Sequence, residues 1–227
     1  MSQSSAGERR PVAKPKPKNF TREVIETIVL TLLIFFAVHF SIQPYQVDGP
    51  SMQPGLVSDC DQPHPTHCER VLVNLLAYDF ATPAHADVVV FYPPTNTARD
   101  CSGSDATREC YVKRIIGVPG DTIQITPTSV LVNGVALKEP YIANAGSAAA
   151  LGSQTDGYCA EATQPIKLGQ NEYWMMGDNR TDSVDSRCFG PVARQSIIGK
   201  ADAIVWPFDS IQWLHDYSSV FAHAEKK

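Results

Sequence analysis

The sequence predicts a mainly β domain preceded by one N-terminal transmembrane α-helix. Three observations predict it. One apolar run lies near the N-terminus, short β-branched runs separated by turn residues fill the rest, and helical periodicity almost vanishes after the apolar run. With 227 residues and 43% hydrophobic composition the chain suffices for one substantial core with appendages.

Residues 1–19 are polar, basic and proline-containing, ending in KPKPKN. They hold too little apolar surface to offset the entropy of ordering, so they read as a disordered cytoplasmic tail. Residues 20–43 read as the anchor. The stretch VIETIVLTLLIFFAVHFSIQ has the roughly 20 residues that a helix needs to cross a bilayer. Its apolar core, Thr27 to Val38, is short enough to suit a cleavable leader, but no spaced pair of small residues follows it. A retained anchor is the expectation. The first 22 residues hold Arg9, Arg10, Lys14, Lys16, Lys18 and Arg22, ahead of the apolar run, which puts the tail inside and the body outside. The net charge of −5 argues against nucleic acid as a partner.

Residues 44–215 form the expected extracytoplasmic body. Strands are predicted at Val71–Leu75, Asp87–Tyr92, Tyr111–Val118, Thr122–Thr126, Ser129–Leu137, Glu172–Met176 and Lys200–Val205. Asn133-Gly134 between alternating apolar residues marks a hairpin. Residues 138–170, rich in Ala, Gly, Ser and Gln, read as a small, lightly structured insertion, and residues 216–227 as a C-terminal tail.

Six cysteines follow the anchor, an even number that fits disulfides in an exported domain. Proximity pairs Cys60 with Cys68 and Cys101 with Cys110, leaving Cys159 with Cys188, among about 15 possible pairings. The rival reading of CDQPHPTHC is a metal site built from Cys60, His64, His67 and Cys68. Adjacent His67 and Cys68 fit a closed tetrahedral site poorly, so no metal and no cofactor are expected.

Three polar segments interrupt this pattern. VDGPSMQPG brackets Ser51 with backbone-bending residues, a setting able to aim a hydroxyl and its amide at one point. CYVKRIIGVPGD places Lys113 on a strand with Tyr111 and Ile115 on its own face, while Val112, Arg114 and Ile116 face the other way. A lysine stripped of water there is pushed toward its neutral form and becomes a base; Arg114, on the opposite face, is expected to stay solvated. The six histidines are poorly placed for that task, only His85 lying near a strand. MGDNRTDSVDSRCFGPV packs Asp178, Asp182, Asp185, Arg180 and Arg187 between core-like runs, where buried charges need partners. Read singly, each segment is equally an ordinary linker, an edge-strand lysine or a surface loop.

Together, SMQP, YVKRIIGVPGD and GDNRTDSVDSR resemble, in order, the motif boxes of the type I signal peptidases, with ADVVVF and GKADAIVWP as further similar segments. The resemblance implies a signal-peptidase-like closed β-sheet catalytic domain behind the anchor. It implies a membrane-bound serine endopeptidase that cuts leader peptides from exported preproteins after small residues. By position, Ser51 becomes the nucleophile and Lys113 the general base. Ser183 is expected to bond to the lysine amine, and Asp185, Arg187 and Asp178 to form a supporting salt-bridge network. Val47, Met52 and Val112 are expected to line shallow apolar pockets, with Tyr45 a weaker candidate. The implied partners are preproteins and the lipid bilayer, the protein working as a monomer in a bacterial inner membrane with its N-terminus cytoplasmic. The chain departs from the pattern at Gly49, where some members carry a serine as second oxyanion donor, and at Gly55 and Cys188. Two rivals stand beside this reading: a self-cleaving Ser/Lys protease, and a membrane-tethered β module without catalysis.

Overall fold

The computed structural model describes residues 20–57, 68–94, 110–142 and 164–224. The tail 1–19, most of CDQPHPTHC and the greater part of the 138–170 stretch lie outside the described residues. The chain divides after His39 into two compact units.

In the first unit, α1 (Phe20–Ser41) begins as expected and has a mean hydropathy of 2.2. At 22 residues it is about 33 Å long, matching a bilayer core of roughly 30 Å. One ion pair and two threonine hydroxyls are satisfied within the helix. Arg22 pairs with Glu26, and the Thr27 and Thr31 hydroxyls donate to the carbonyls of Glu23 and Thr27. None of its side chains is buried against protein.

The second unit is β-rich. Its strands are β1 (Ile42–Gln46), β2 (Arg70–Asn74), β3 (Val88–Phe91), β4 (Tyr111–Gly117), β5 (Thr122–Ile125) and β6 (Val130–Val132). They continue with β7 (Val135–Ala136), β8 (Ile166–Lys167), β9 (Glu172–Met176), β10 (Val192–Ala193), β11 (Ile197–Trp206) and β12 (Gln212–Trp213). The larger sheet runs β1-β2-β11-β3-β4-β9-β10, with β12 beside β11; the smaller runs β7-β6-β5-β8. Every pairing is antiparallel. The expected mainly β body is built as two sheets, the larger with its path ends at β1 and β10.

Alternation explains how the larger sheet is buried on both faces. Val88 and Val90 join one apolar cluster with Val47, Met52, Leu56, Val71 and Val73, while Val89 and Phe91 join another with Ile115 and Met175. Trp174 and Met176 reach a third cluster, which also holds the small sheet's Ile123, Val130 and Val132. A strand buried on both sides reads as the continuous run VVVF. The Asn133-Gly134 hairpin stands as expected, with φ of 53° and 82°.

Three expectations shift. β1 follows α1 without a linker, so the helix ends before Gln43; Pro44 is tolerated because β1 is an edge strand. The described ends of the 138–170 stretch are packed, with Glu139, Tyr141, Ile142 and Leu168 all buried. The terminal segment is packed as well: Phe221 is fully buried and stacks on His85 at 4.8 Å, and Asn133 Nδ2 donates to the Ala224 carbonyl. Cys68, Cys110 and Cys188 are disulfide-bonded, which removes Cys68 as a thiolate metal ligand. The partners expected for them, Cys60, Cys101 and Cys159, lie outside the described residues. Among the described residues no cluster of three His, Cys, Asp or Glu side chains is placed to hold a metal ion.

Candidate active site

Ser51 lies in a 3-10 turn, Pro50–Met52, which Pro50 starts and Met52 pins by burying its side chain at 1% exposure. Gly49 enters this turn at φ 83° and ψ 159°, a region that only glycine occupies without strain. A serine at this position would not suit this backbone. The Gly177–Asn179 segment grips the turn from outside. Asn179 donates its amide to the Ser51 carbonyl at 3.0 Å and its side-chain amide to the Pro50 carbonyl at 3.2 Å. Gly177 is required for the fit: a Cβ there would collide with the Ser51 carbonyl oxygen and the Ser183 hydroxyl.

β4 carries Lys113 to this turn. Its Nζ lies 2.7 Å from Ser51 Oγ and 3.0 Å from the Val112 carbonyl, and 5.2 Å from the centroid of the Tyr111 ring. The lysine is only 4% exposed. Burial is the main cause that brings its pKa down from the ordinary 10.5 to about 8; Asp185 and Asp178 oppose the fall, and Arg187 assists it. As an ammonium the lysine donates to Ser51. As a neutral amine it accepts the serine proton along the same 2.7 Å line.

Behind the pair lies a cluster of buried charges. Asp185 is fully buried and accepts from Arg187 Nε and Nη2, the Gly177 amide and the Ser183 hydroxyl. Burial pushes its carboxyl upward, but the Arg187 ion pair and these hydrogen bonds outweigh it and hold the pKa below the ordinary carboxylate value. Ser183 thus gives its hydroxyl to Asp185 at 2.8 Å, whereas a bond to the lysine amine was expected. Asp178 takes its partner from outside the expected trio of Asp185, Arg187 and Asp178. Arg114 binds it through Nε at 2.8 Å and Nη2 at 2.6 Å. Arg114 is therefore buried, at 4% exposure, and not solvated. Alternation placed it on the opposite face from Lys113, but that face is covered too.

A cavity of about 480 Å³ opens beside the pair, lined by Val47, Ser51, Met52, Tyr111, Val112 and Lys113 among others. The three pocket residues expected from sequence all border it. Tyr45 packs against the same apolar cluster as Met52 and Val112. His85 belongs elsewhere, bonded to Asp121 at 2.7 Å.

Three contributors had no role in the sequence reading. Tyr111 and Asn179 stand inside recognised motifs; Tyr111 flanks Lys113, and Asn179 holds Pro50 and Ser51, far away in sequence. Glu139 stands outside every motif: it is buried and ion-paired with Arg180.

A family model described as "Signal peptidase, peptidase S26" matches residues 21–206. The chain belongs to this family. Signal peptidase I S of Bacillus subtilis (strain 168) is 32% identical over 196 residues, 85% of this chain and 91% of its own length. Signal peptidase IB of Staphylococcus aureus (strain MRSA252) is 30% identical over 202 residues, 86% of this chain and 94% of its own. A solved signal peptidase I from Enterococcus faecalis V583 shares 31% identity, covering 53% of this chain and 97% of that one, with a TM-score of 0.38. As a signal peptidase family member the chain is a serine endopeptidase, a hydrolase.

Proposed function

We propose that this signal peptidase cleaves leader peptides from exported preproteins with Ser51 as nucleophile and Lys113 as general base. The observation that carries the reading is a water-excluded amine 2.7 Å from the hydroxyl of a serine held in a rigid turn. Neutral Lys113 takes the proton from Ser51 Oγ as the oxygen bonds to the scissile carbonyl carbon. The carbonyl oxygen becomes an oxyanion that rests on the Ser51 amide. Collapse breaks the carbon–nitrogen bond, and the lysine ammonium gives its proton to the leaving amine. Water, deprotonated by the same lysine, then attacks the acyl-enzyme and releases the leader as a carboxylic acid, returning Ser51 to its hydroxyl form.

Val47, Met52 and Val112 border the cavity and supply shallow apolar walls suited to Ala-like side chains at the first and third positions before the cut. Asp185 with Arg187, and Asp178 with Arg114, hold the loop that grips Ser51. The length and apolarity of α1 favour a bilayer anchor, and the basic residues before it favour a cytoplasmic N-terminus, in a bacterial inner membrane with the catalytic body outside. Tethering concentrates the site at the membrane without further contacts. The enzyme acts as a monomer without metal or cofactor, stabilised by Cys60–Cys68, Cys101–Cys110 and Cys159–Cys188 bridges.

The test is incubation of detergent-solubilised protein with a leader-bearing precursor, the cut being mapped by mass spectrometry. The wild type cuts once, after a small residue, and Ser51→Ala and Lys113→Ala each abolish the cut while leaving the fold intact. Cleavage by either variant at the wild-type rate removes the dyad.

A further inference from the structure

Arg180 is a fully enclosed cation in the loop that holds the nucleophile. Its Nε donates to the Gly177 carbonyl at 3.0 Å, and its own carbonyl accepts from Arg187 Nη1 at 2.8 Å. It thereby closes the turn that begins at Gly177, passes Asp178 and Asn179, and presents the Asn179 amide to the Ser51 carbonyl. A buried guanidinium keeps its place only with an anion beside it. That anion comes from Glu139, whose carboxylate receives Arg180 Nη1 at 2.9 Å and also Nη2. The Glu139 side chain is 1% exposed and that of Arg180 2%, so water cannot substitute for either.

The same short segment braces the neighbouring ion pair. The Tyr141 hydroxyl donates to Glu139 Oε1 at 2.8 Å, and the Tyr141 ring lies 4.4 Å from the Arg114 guanidinium carbon, against the face of the group that holds Asp178. Both ends of the Gly177–Arg180 loop therefore lean on residues 139 and 141, which leave the small sheet directly after β7. No motif of the sequence includes them.

We propose that Glu139 is a positioning residue for cleavage, fixing the Gly177–Arg180 loop through Arg180 and so holding the Ser51 main chain at Lys113. The proposal rests on Ser51 and Lys113 being the dyad. Glu139 touches no reacting atom, so its loss should move the rate of acylation and leave substrate affinity alone.

The experiment compares full-length, detergent-solubilised wild type, Ser51→Ala, Glu139→Gln and the charge-balanced double variant Glu139→Gln with Arg180→Met. The substrate is a fluorogenic leader peptide with alanine at the first and third positions before the cut. All rates are read at a temperature where each variant is folded by circular dichroism. Glu139→Gln should lower kcat by at least about tenfold, the size of loss that misplacement of a reacting group brings, with KM within about twofold. The double variant should recover the wild-type melting temperature, because no unpaired charge remains, while kcat stays low. Wild-type kcat in the double variant, or in Glu139→Gln itself, overturns the positioning role. Cleavage by Ser51→Ala would instead show that the dyad assignment had failed, so the two failures are told apart within one assay.

Discussion

Replacing Lys113 by methionine keeps the length of the side chain and removes its charge, and the structure sets the sign of the effect. The amine's pKa falls from 10.5 to about 8 on folding, mainly through desolvation. At 1.36 kcal/mol per unit the folded state binds this proton about 3 kcal/mol more weakly than the unfolded chain. Because the folded pKa is the lower one, the penalty is full below about pH 8, where both states are protonated. It fades between about pH 8 and 10.5 and is absent above that, where neither state is charged. Methionine removes the penalty but also loses the contacts with Ser51 Oγ and the Val112 carbonyl, each contributing about 1 kcal/mol at any pH. The stability of Lys113→Met relative to wild type should therefore be about 2–3 kcal/mol more favourable at pH 7 than at pH 10. Urea titrations of both proteins in one detergent, followed by tryptophan fluorescence, measure this difference, and the pH-independent losses cancel from it. An equal difference at the two pH values would refute the claim that the amine is desolvated.

With Lys113 as the proposed base, the same amine should set the rate profile. With a pKa of about 8 the neutral fraction rises about fivefold from pH 7 to 8 and less than about twofold from 8 to 9, and kcat/KM should follow; a midpoint near 6.5 would point to a histidine. Gly177→Ala drives a methyl group into the Ser51 carbonyl and the Ser183 hydroxyl, so kcat should fall by about a hundredfold in a peptide-cleavage assay, KM changing little. Gly49→Ser should not raise kcat despite supplying a hydroxyl two residues before the nucleophile. The backbone there has φ 83°, so the change should cost roughly 1–3 kcal/mol of stability, read as a lower melting temperature.

The proposed Ser51–Lys113 pair was legible because its residue types recur within an ordered set of motif boxes. Read singly, the serine turn was equally a linker and the strand lysine equally an edge-strand lysine; only the three motif boxes in order singled them out. The central strands were legible because burial on both faces leaves an unbroken run such as VVVF. Alternation identified the face that Arg114 occupies, but not whether another segment covers that face. Its solvation was misjudged because Asp178, 64 residues away, supplies the covering charge. Glu139 was hidden for the same reason, its partner Arg180 being 41 residues distant. β1 was absorbed into the apolar run before it, because Ile42 and Gln43 continue the anchor's composition while the strand ladder decides their conformation.

The last helical turn, Ser218–Phe221, has a practical bearing on how the protein is handled. Phe221 plugs the third apolar cluster, and the carbonyl of Ala224 is tied to the β-hairpin by Asn133. Trimming the chain back to residue 216 would unplug that cluster at a cost of about 3–5 kcal/mol, judged from the loss of one enclosed phenylalanine. A purification handle therefore belongs beyond Ala224, where it lengthens the terminus without pulling the stopper.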